Sequence, residues 1–130
     1  MLNPPLPFLW PSIEKEIAPF QPFLTGVVLN AGSGSRRVKA GDSVINLDLD
    51  PKAQPDVLAS LLDLPFEENS IDSVLSIAAI EHVERPWVAF EEFFRVLKPG
   101  GHAVIGARSY SRSTLHRAIS TALRHTASPN

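Results

Sequence analysis

Short apolar runs separated by turn-forming residues organise this sequence from Leu24 onward, and they predict a sheet of about five strands. The runs are apolar on both faces, which is typical of parallel strands buried between two layers. The predicted strands are Val27–Asn30, Val44–Leu49, Val57–Ser60, Ser73–Ile77 and His102–Ala107. Parallel strands usually need a crossover of about a dozen residues or more. The shorter gaps after the first two strands therefore predict crossovers reduced to loops or single turns.

Helical periodicity is strongest between Pro86 and Leu97. Proline is favoured in the first turn of a helix, and aromatic residues three or four apart predict a face buried in the core. The members of this stripe are Trp87, Phe90, Phe94 and Leu97. The helix is expected to end at the Lys-Pro-Gly-Gly segment 98–101, because proline cannot continue it and glycine permits a left-handed turn.

Proline also divides the chain into regions. Six prolines within the first 22 residues predict an extended arm over 1–23, interrupted by one short helix from the N-cap candidate Ser12 to about Ala18. A single domain over 24–107 follows, since a chain of 130 residues has room for one core. Residues 108–130 form a basic helix and tail. The predicted class is therefore one α/β domain with two short flanking segments.

Charge is distributed unevenly along the chain. Residues 93–130 carry six basic side chains and no acid, although the whole chain has a net charge of -2. A last helix predicted over Thr114–Arg124 would bury Leu115, Ile119 and Ala122 and turn its arginines outward. We interpret this surface as a solvated basic face. An RNA substrate is the less favoured alternative, since only Tyr110 offers a ring for base stacking.

The composition excludes several kinds of site. The sequence contains no cysteine, which removes disulfides, thiolate metal ligands and thiol nucleophiles. No apolar run is long enough to span a bilayer, and the amino terminus lacks the basic region of a signal peptide. A cytoplasmic location without a metal centre is the expectation.

A glycine turn after the first strand carries the main indication of function. Apolar residues lead into a G-x-G turn at Gly32 and Gly34, and the second predicted strand carries the acid Asp48 near its end. Glycines let backbone approach a ligand closely, and an acid at this place accepts hydrogen bonds from ribose hydroxyls. The dinucleotide fingerprint has a third glycine, whereas this chain has Arg37 there. An adenosine-like ligand is predicted, and NAD or FAD is disfavoured.

Five segments in order carry a resemblance to a known family. They are LNAGSG at 29–34, INLD at 45–48, DLPFEENSID at 63–72, IEHV at 80–83 and RVLKPGG at 95–101. Together, over about 26–107, they resemble the class I S-adenosylmethionine-dependent methyltransferases, particularly the type 11 methyltransferase domain. The resemblance implies a Rossmann-like three-layer sandwich with a mostly parallel sheet. It also implies S-adenosyl-L-methionine as methyl donor to an unidentified acceptor, for which a small molecule is expected.

The resemblance also implies a set of cofactor contacts. The residues concerned are Asn30, Ala31, Gly32, Ser33, Gly34, Asp48, Leu49, Ser60, Leu61 and Ile77. The glycine turn is expected against the methionine part, Asp48 at the ribose and Ser60 at the adenine. Asn30 and Ser60 stand where many family members carry acids, and neutral groups make weaker hydrogen bonds there.

His82 and the end of the chain leave alternatives open. The imidazole of His82 is a candidate general base, a pocket wall, or a side chain fixed by hydrogen bonds to position its loop. Family members usually add two further strands, and this sequence offers one helix after Ala107. The fifth strand would then be an open edge, which invites self-association unless the last helix or a partner covers it. A truncated methyltransferase-like domain acting as an interaction module is therefore the main alternative to an enzyme, and a nucleotide-binding oxidoreductase is a weaker one.

Overall fold

A computed structural model describes residues 12–108 and 111–126 of the chain. Its sheet has five strands, with short helices on both faces. The strands are β1 (Val27–Ala31), β2 (Ser43–Asp48), β3 (Val57–Leu58), β4 (Ile71–Ile77) and β5 (Leu97–Gly106). The α-helices are α1 (Ile13–Ile17), α2 (Pro86–Val96) and α3 (Arg112–Thr126). The first eleven residues of the predicted arm lie outside the described residues.

All strand pairs are parallel, in the order β3-β2-β1-β4-β5. The predicted α/β fold with a parallel sheet of five strands is confirmed. The chain moves outward from β1 to β2 and β3, then returns to place β4 on the other side of β1. The carboxyl ends of β1 and β4 therefore flank the point where the direction of winding reverses, which is where open parallel sheets bind ligands.

The crossover from β1 to β2 contains no helix. Residues 32–42 form turns and extended chain, and a single 3-10 turn at Pro51–Ala53 lies between β2 and β3. The side chain of Asp50 caps that turn by accepting from the backbone N–H of Lys52 at 2.9 Å. The prediction that these two crossovers are reduced to loops or single turns is confirmed.

The junction between α2 and β5 differs from the expected one. Leu97 was predicted to close the helix, but its backbone is extended and it begins β5, paired with Ile71. The next register pair joins Ser73 to His102, so residues 98–101 form a bulge within the strand. The predicted start at His102 was therefore wrong, because the Lys-Pro-Gly-Gly segment bulges out of the ladder instead of preceding it. The third strand is also shorter than predicted, ending at Leu58.

The core lies in two layers on either side of the sheet. One layer joins α2, α3 and the side chains of Leu29 and Val74, and the other joins α1 to Val28 and Leu75. The buried residues of α2 are Pro86, Ala89, Phe90, Phe93 and Val96. Of the predicted aromatic stripe, Phe90 is fully buried, whereas Trp87 and Phe94 are half-buried. Trp87 packs against the margin of the core and lines a groove beside α3.

The last helix packs against α2, and β5 lies at the edge of the sheet. It begins at Arg112, earlier than predicted, and buries Ala118 and Ala122, while Leu115 and Ile119 are half-buried. The 3-10 helix Ala18–Phe23 contacts β5, and the rings of Phe23 and His102 lie 5.1 Å apart. Within the described ranges, no helix combines the length and apolar character needed to cross a bilayer.

Helix α1 confirms the predicted short helix in the arm. The Ser12 side chain accepts from the backbone N–H of Lys15 at 3.3 Å, as expected of an N-cap. Ile17 is fully buried beneath the sheet. The carboxylate of Glu16 pairs with Arg108 at 2.7 Å, which joins the arm to the segment after β5. From Ser12 onward, the predicted arm therefore packs on the rest of the fold.

Two buried serines on β4 give a matched stability prediction. Ser73 Oγ accepts from the N–H of Thr25 at 2.9 Å and donates to the Thr25 carbonyl at 2.8 Å. Ser76 Oγ is equally buried, with no hydrogen-bond partner among the described residues. We expect Ser73→Ala to lower the free energy of unfolding by about 1–2 kcal/mol and Ser76→Ala to leave it equal or slightly raised. Urea denaturation measures both, and equal losses would contradict the assignment.

A charged cluster ties the segment after β3 to α2. The Glu92 carboxylate accepts from the backbone N–H of Leu64 at 2.7 Å and pairs with Arg95 at 2.6 Å. Arg95 in turn donates to the carbonyls of Leu64 and Phe66. Burial alone would raise the pKa of Glu92, but the hydrogen bonds from Arg95 and Leu64 outweigh burial and hold that pKa below its ordinary value.

Replacing Glu92 by glutamine is expected to lower the free energy of unfolding by about 1–2 kcal/mol at neutral pH. Because the pKa of Glu92 is lowered in the folded state, its stabilisation is complete above the ordinary glutamate pKa and is lost as the pH falls through the lowered value. The deficit of the variant should therefore shrink with acidification. Urea denaturation at a series of pH values, with exposed Glu67→Gln as control, measures it; a deficit that does not change with pH would contradict this account.

Candidate functional site

A pocket of about 330 Å³ opens at the carboxyl edge of the sheet, beside the reversal point between β1 and β4. Its volume lies at the lower end of the range for small-molecule sites, about 300–1,000 Å³. The residues that line it are Gly32, Gly34, Asp48, Leu49, Ala59, Ser60, Leu61, Ala78, Ala79, His82 and Val83. Six of the ten residues predicted to contact the cofactor belong to this set.

The glycine turn forms the floor of the pocket. The N–H groups of Gly32 and Ser33 both donate to the Leu47 carbonyl, at 2.9 and 3.0 Å, which joins the turn to the end of β2. Gly32 and Gly34 have φ angles of +73° and +56°, which place their backbones in a region that residues other than glycine rarely adopt. No atom lies within 4 Å of the position that a Cβ of Gly34 would occupy. Glycine at 34 therefore leaves space that a ligand can fill.

Asp48 is held rigidly at the end of β2. Its Oδ2 accepts from the N–H of Gly34 at 2.8 Å, and its Oδ1 accepts from the N–H of Asp50 at 2.9 Å. Each bond uses one acceptor position, and an ionised carboxylate offers about four. The carboxylate is half-buried and lines the pocket. It is therefore oriented by the protein and still has lone pairs available for a ligand with vicinal hydroxyls.

The far wall of the pocket is formed by the segment after β3. Ser60 is half-buried, and its Oγ accepts from the N–H of Leu62 at 3.0 Å, which leaves its hydroxyl hydrogen and one lone pair. Leu61 is buried and Leu49 is 67 % exposed, and both line the pocket. A flat aromatic ligand would thus find apolar side chains and one hydroxyl in this part of the pocket.

Four predicted contacts lie outside the pocket lining. Asn30 is 5 % exposed, and its amide donates to Asn46 Oδ1 at 3.1 Å, below the floor of the site. Ala31, Ser33 and Ile77 are buried in the fold. Asn46 in turn donates two hydrogen bonds to the Asp56 carboxylate, one from its backbone N–H and one from its side-chain amide. Both bonds lower the pKa of Asp56, and the backbone bond has the larger effect. Asn30 therefore belongs to a polar network that supports the glycine turn from beneath.

Little in the sequence indicates the wall that follows β4. Ala78 has a left-handed backbone, with φ of +58°, which is unusual for a residue other than glycine. This bend turns Ala78 and Ala79 into the pocket, where Val83 joins them. Both alanines directly follow a predicted strand, and residues at the carboxyl ends of parallel strands are the ones that meet ligands. Their position directly after a predicted strand is the one feature of the sequence that could have predicted their place in the pocket.

His82 lies at the rim of the pocket. Its backbone N–H donates to the Ala79 carbonyl at 3.1 Å, as part of a 3-10 turn at Ile80–His82. The side chain is exposed, and no hydrogen bond to the imidazole is found within the described ranges. The hydrogen bond that fixes this turn comes from the His82 backbone, and the role of the imidazole stays a prediction.

Arg37 stands where a dinucleotide site would have its third glycine. Its guanidinium donates to the carbonyls of Ala53 at 3.0 Å and Gln54 at 2.6 Å, and to that of Gly34 at 3.3 Å. The arginine therefore braces the short loop against the turn after β2. Because residues 32–42 form no helix, the site has no helix N-terminus to receive a pyrophosphate.

A family model described as "Methyltransferase domain" matches residues 29–105, a span that holds the glycine turn, Asp48 and the wall after β4. The chain belongs to this methyltransferase domain family. The class I methyltransferase resemblance of the sequence is thereby confirmed. An uncharacterized methyltransferase of Mycobacterium leprae is 46% identical over 55 residues, which are 42% of this chain and 20% of the relative. One from Mycobacterium tuberculosis is 49% identical over 49 residues, 38% of this chain and 19% of the relative.

Solved structures of methyltransferases share the fold of this methyltransferase domain. A complex between the Haloferax volcanii Trm112 methyltransferase activator and a methyltransferase gives 25% identity and a TM-score of 0.66, covering 83% of this chain and 65% of that one. An S-adenosylmethionine-dependent methyltransferase of Aquifex aeolicus gives a TM-score of 0.68 at 15% identity, covering 92% of this chain and 82% of that one. The chain spans about a fifth of the length of the curated relatives it matches.

Proposed function

We propose that this domain binds S-adenosylmethionine in the pocket at the carboxyl edge and transfers its methyl group to a small-molecule acceptor. The observation that carries the proposal is the Asp48 carboxylate, held by Gly34 and Asp50 with lone pairs left over, at the rim of a pocket between β1 and β4. Family membership supports the same activity.

The residues present fit the cofactor in three respects. Asp48 offers acceptors to the two ribose hydroxyls. The open space above Gly34 admits a ligand against the backbone, which a side chain would prevent. Leu49, Leu61 and Ser60 all line the pocket, so apolar side chains and one hydroxyl are available to the adenine. The turn that carries Gly34 is already fixed by hydrogen bonds to Leu47, so little ordering would be needed on binding.

When bound, S-adenosylmethionine supplies an activated methyl group on a sulfonium. The protein's contribution is then chiefly to position an acceptor in line with that group and to exclude water. The apolar side chains of Ala79 and Val83 line the pocket on the β4 side and exclude water there. His82, exposed at the rim, is placed to meet an acceptor entering from solvent, and we assign no other residue to proton transfer.

Isothermal titration of the protein with S-adenosylmethionine, and separately with S-adenosylhomocysteine, tests the proposal. We expect saturable heat with one site per chain for both ligands. Circular dichroism on the same sample establishes that the protein is folded. Absence of heat from a folded sample at high protein concentration would refute cofactor binding. Binding of both ligands without methylation of any acceptor in a panel of small molecules would favour the binding-module alternative.

A further inference from the structure

Helix α3 carries a basic stripe along its exposed side. Residues three or four apart lie on one face of a helix, and an open groove of about 730 Å³ runs along such a set on α3. The members of the basic stripe are Arg112, Ser113, His116, Arg117, Ser120 and Arg124. The stripe extends about 18 Å, since each helical residue adds about 1.5 Å.

The positive charge of the basic stripe is not neutralised by the fold. Helix α3 contains no aspartate or glutamate, and in residues 12–108 and 111–126 no carboxylate pairs with Arg112, Arg117 or Arg124. The one side-chain hydrogen bond found there for these three guanidiniums joins Arg124 to Thr121 Oγ1 at 3.2 Å. Most of their N–H donors are thus available to an anion. A guanidinium matches a phosphate with two parallel hydrogen bonds.

A second groove, of about 300 Å³, joins the basic stripe to an aromatic ring. Trp87, in the first turn of α2, lines this groove together with Arg117 of the stripe. The rest of the lining is Pro86, Thr114, Ala118 and Thr121. In the sequence, Tyr110 is the ring that offers base stacking near these arginines, and it lies outside the described residues. The fold brings the indole of Trp87 to the same surface.

The two grooves together fit a single strand of nucleic acid. Sequence-tolerant binding of single strands needs a basic surface that follows the phosphates and an aromatic side chain on which a base stacks. In a duplex the bases stack on one another, so contact with Trp87 would be lost. A membrane surface fits less well, because Ala118 and Ala122 on the other face of α3 are buried in the fold and cannot also enter a bilayer.

We propose that the basic stripe and the Trp87 groove bind single-stranded nucleic acid, with phosphates on the arginines and one base stacked on the indole. This surface has no lining residue in common with the pocket at the carboxyl edge, so the proposal goes beyond methyl transfer and does not depend on it. Because the contacts are to phosphates and to the face of a base, little sequence preference is expected.

Fluorescence anisotropy with a short labelled RNA strand, and with DNA of the same sequence, measures binding. Each phosphate contact to a single strand contributes about -0.7 to the slope of log affinity against log salt, so three arginines predict a slope of about -2. Removing the three charges should weaken binding by about 100-fold at about 0.1 M salt and bring the slope near zero. The variant combines Arg112→Gln, Arg117→Gln and Arg124→Gln.

A matched control removes the same net charge from exposed positions elsewhere on the chain. It combines Lys15→Gln, Lys39→Gln and Lys52→Gln. We expect its affinity to stay within about threefold of wild type, since salt screens exposed charges that are far from the strand. Circular dichroism establishes that both triple variants are folded. Equal losses in the two triple variants would overturn the proposal, because general charge and not the basic stripe would then hold the strand.

The aromatic contact has a test of its own. Trp87→Leu should weaken binding by about 5- to 100-fold without changing the salt slope. A strand that carries the phosphates without bases should bind wild-type protein with a similar loss, which tests stacking even if Trp87→Leu does not fold. Equal affinity for strands with and without bases, or for a duplex, would overturn the proposal. Wild-type protein that binds vesicles of anionic phospholipid and no strand would also overturn it, while leaving the proposed function intact.

Discussion

Replacing Gly32 by alanine is expected to lower the free energy of unfolding by about 3 kcal/mol, the sum of a left-handed backbone penalty and overpacking. Gly32 has a φ of +73°, and a Cβ built there overlaps the Cβ of Ala79. Ala79 lies in the turn after β4, itself fixed by the left-handed Ala78. The contacted Cβ is attached directly to the backbone and is not the far end of a flexible side chain, so the steric cost adds to the backbone cost. Urea denaturation of the purified variant measures the loss.

Gly34→Ala is the matched comparison within the same turn. Gly34 also has a left-handed backbone, but open space surrounds the position of its Cβ. We expect a loss of only about 1 kcal/mol from the backbone conformation. The added methyl group would project into the pocket, so ligand affinity should fall although the fold survives. Equal losses of stability in the two variants would show that the contact with Ala79 is not the reason why position 32 requires glycine.

The sheet was predictable because its strands are short apolar runs bounded by residues with strong local preferences. The lengths of the gaps also predicted crossovers without full helices, and residues 32–42 confirm this. The start of β5 was not predictable in the same way. Residues 98–101 carry the local signature of a helix end, and their inclusion in the strand depends on pairing across to Ile71 and Ser73. Such pairing is a tertiary property that local sequence does not encode.

The placement of residues around the pocket was predictable where backbone geometry requires a particular residue type. Gly34 and Asp48 meet because a turn after β1 and the end of β2 are adjacent in a parallel sheet, and their hydrogen bond follows. Asn30 was placed against the cofactor by resemblance alone, whereas its side chain is buried against Asn46. The direction of a side chain at a strand end depends on the register and twist of its neighbours. Ala78 was missed for a related reason, since nothing in an alanine signals a left-handed backbone.

Asp48→Ala is expected to weaken binding of S-adenosylhomocysteine by about 100-fold or more, because in the proposed orientation of the ligand the Asp48 carboxylate accepts two charge-assisted hydrogen bonds from the ribose. The substitution also removes the acceptor for the N–H of Gly34, so some loosening of the turn contributes. Asp48→Asn separates the two effects. It keeps the size of the side chain and one carbonyl acceptor, and we expect an intermediate loss of about tenfold from the missing charge.

Asp50→Ala provides the control for general disturbance of this turn. Asp50 is exposed two residues further on, and its carboxylate caps the 3-10 turn through Lys52 without lining the pocket. We expect its loss to cost some stability and to leave ligand affinity within about twofold, since no ligand contact is removed. Affinity is measured by isothermal titration, and thermal unfolding reports stability for each variant. If Asp48→Ala keeps wild-type affinity, the ribose does not bind at Asp48 and the proposed orientation of the ligand is wrong. If Asp48→Ala and Asp50→Ala lose affinity equally, the carboxylate of Asp48 orders the turn without contacting the ligand.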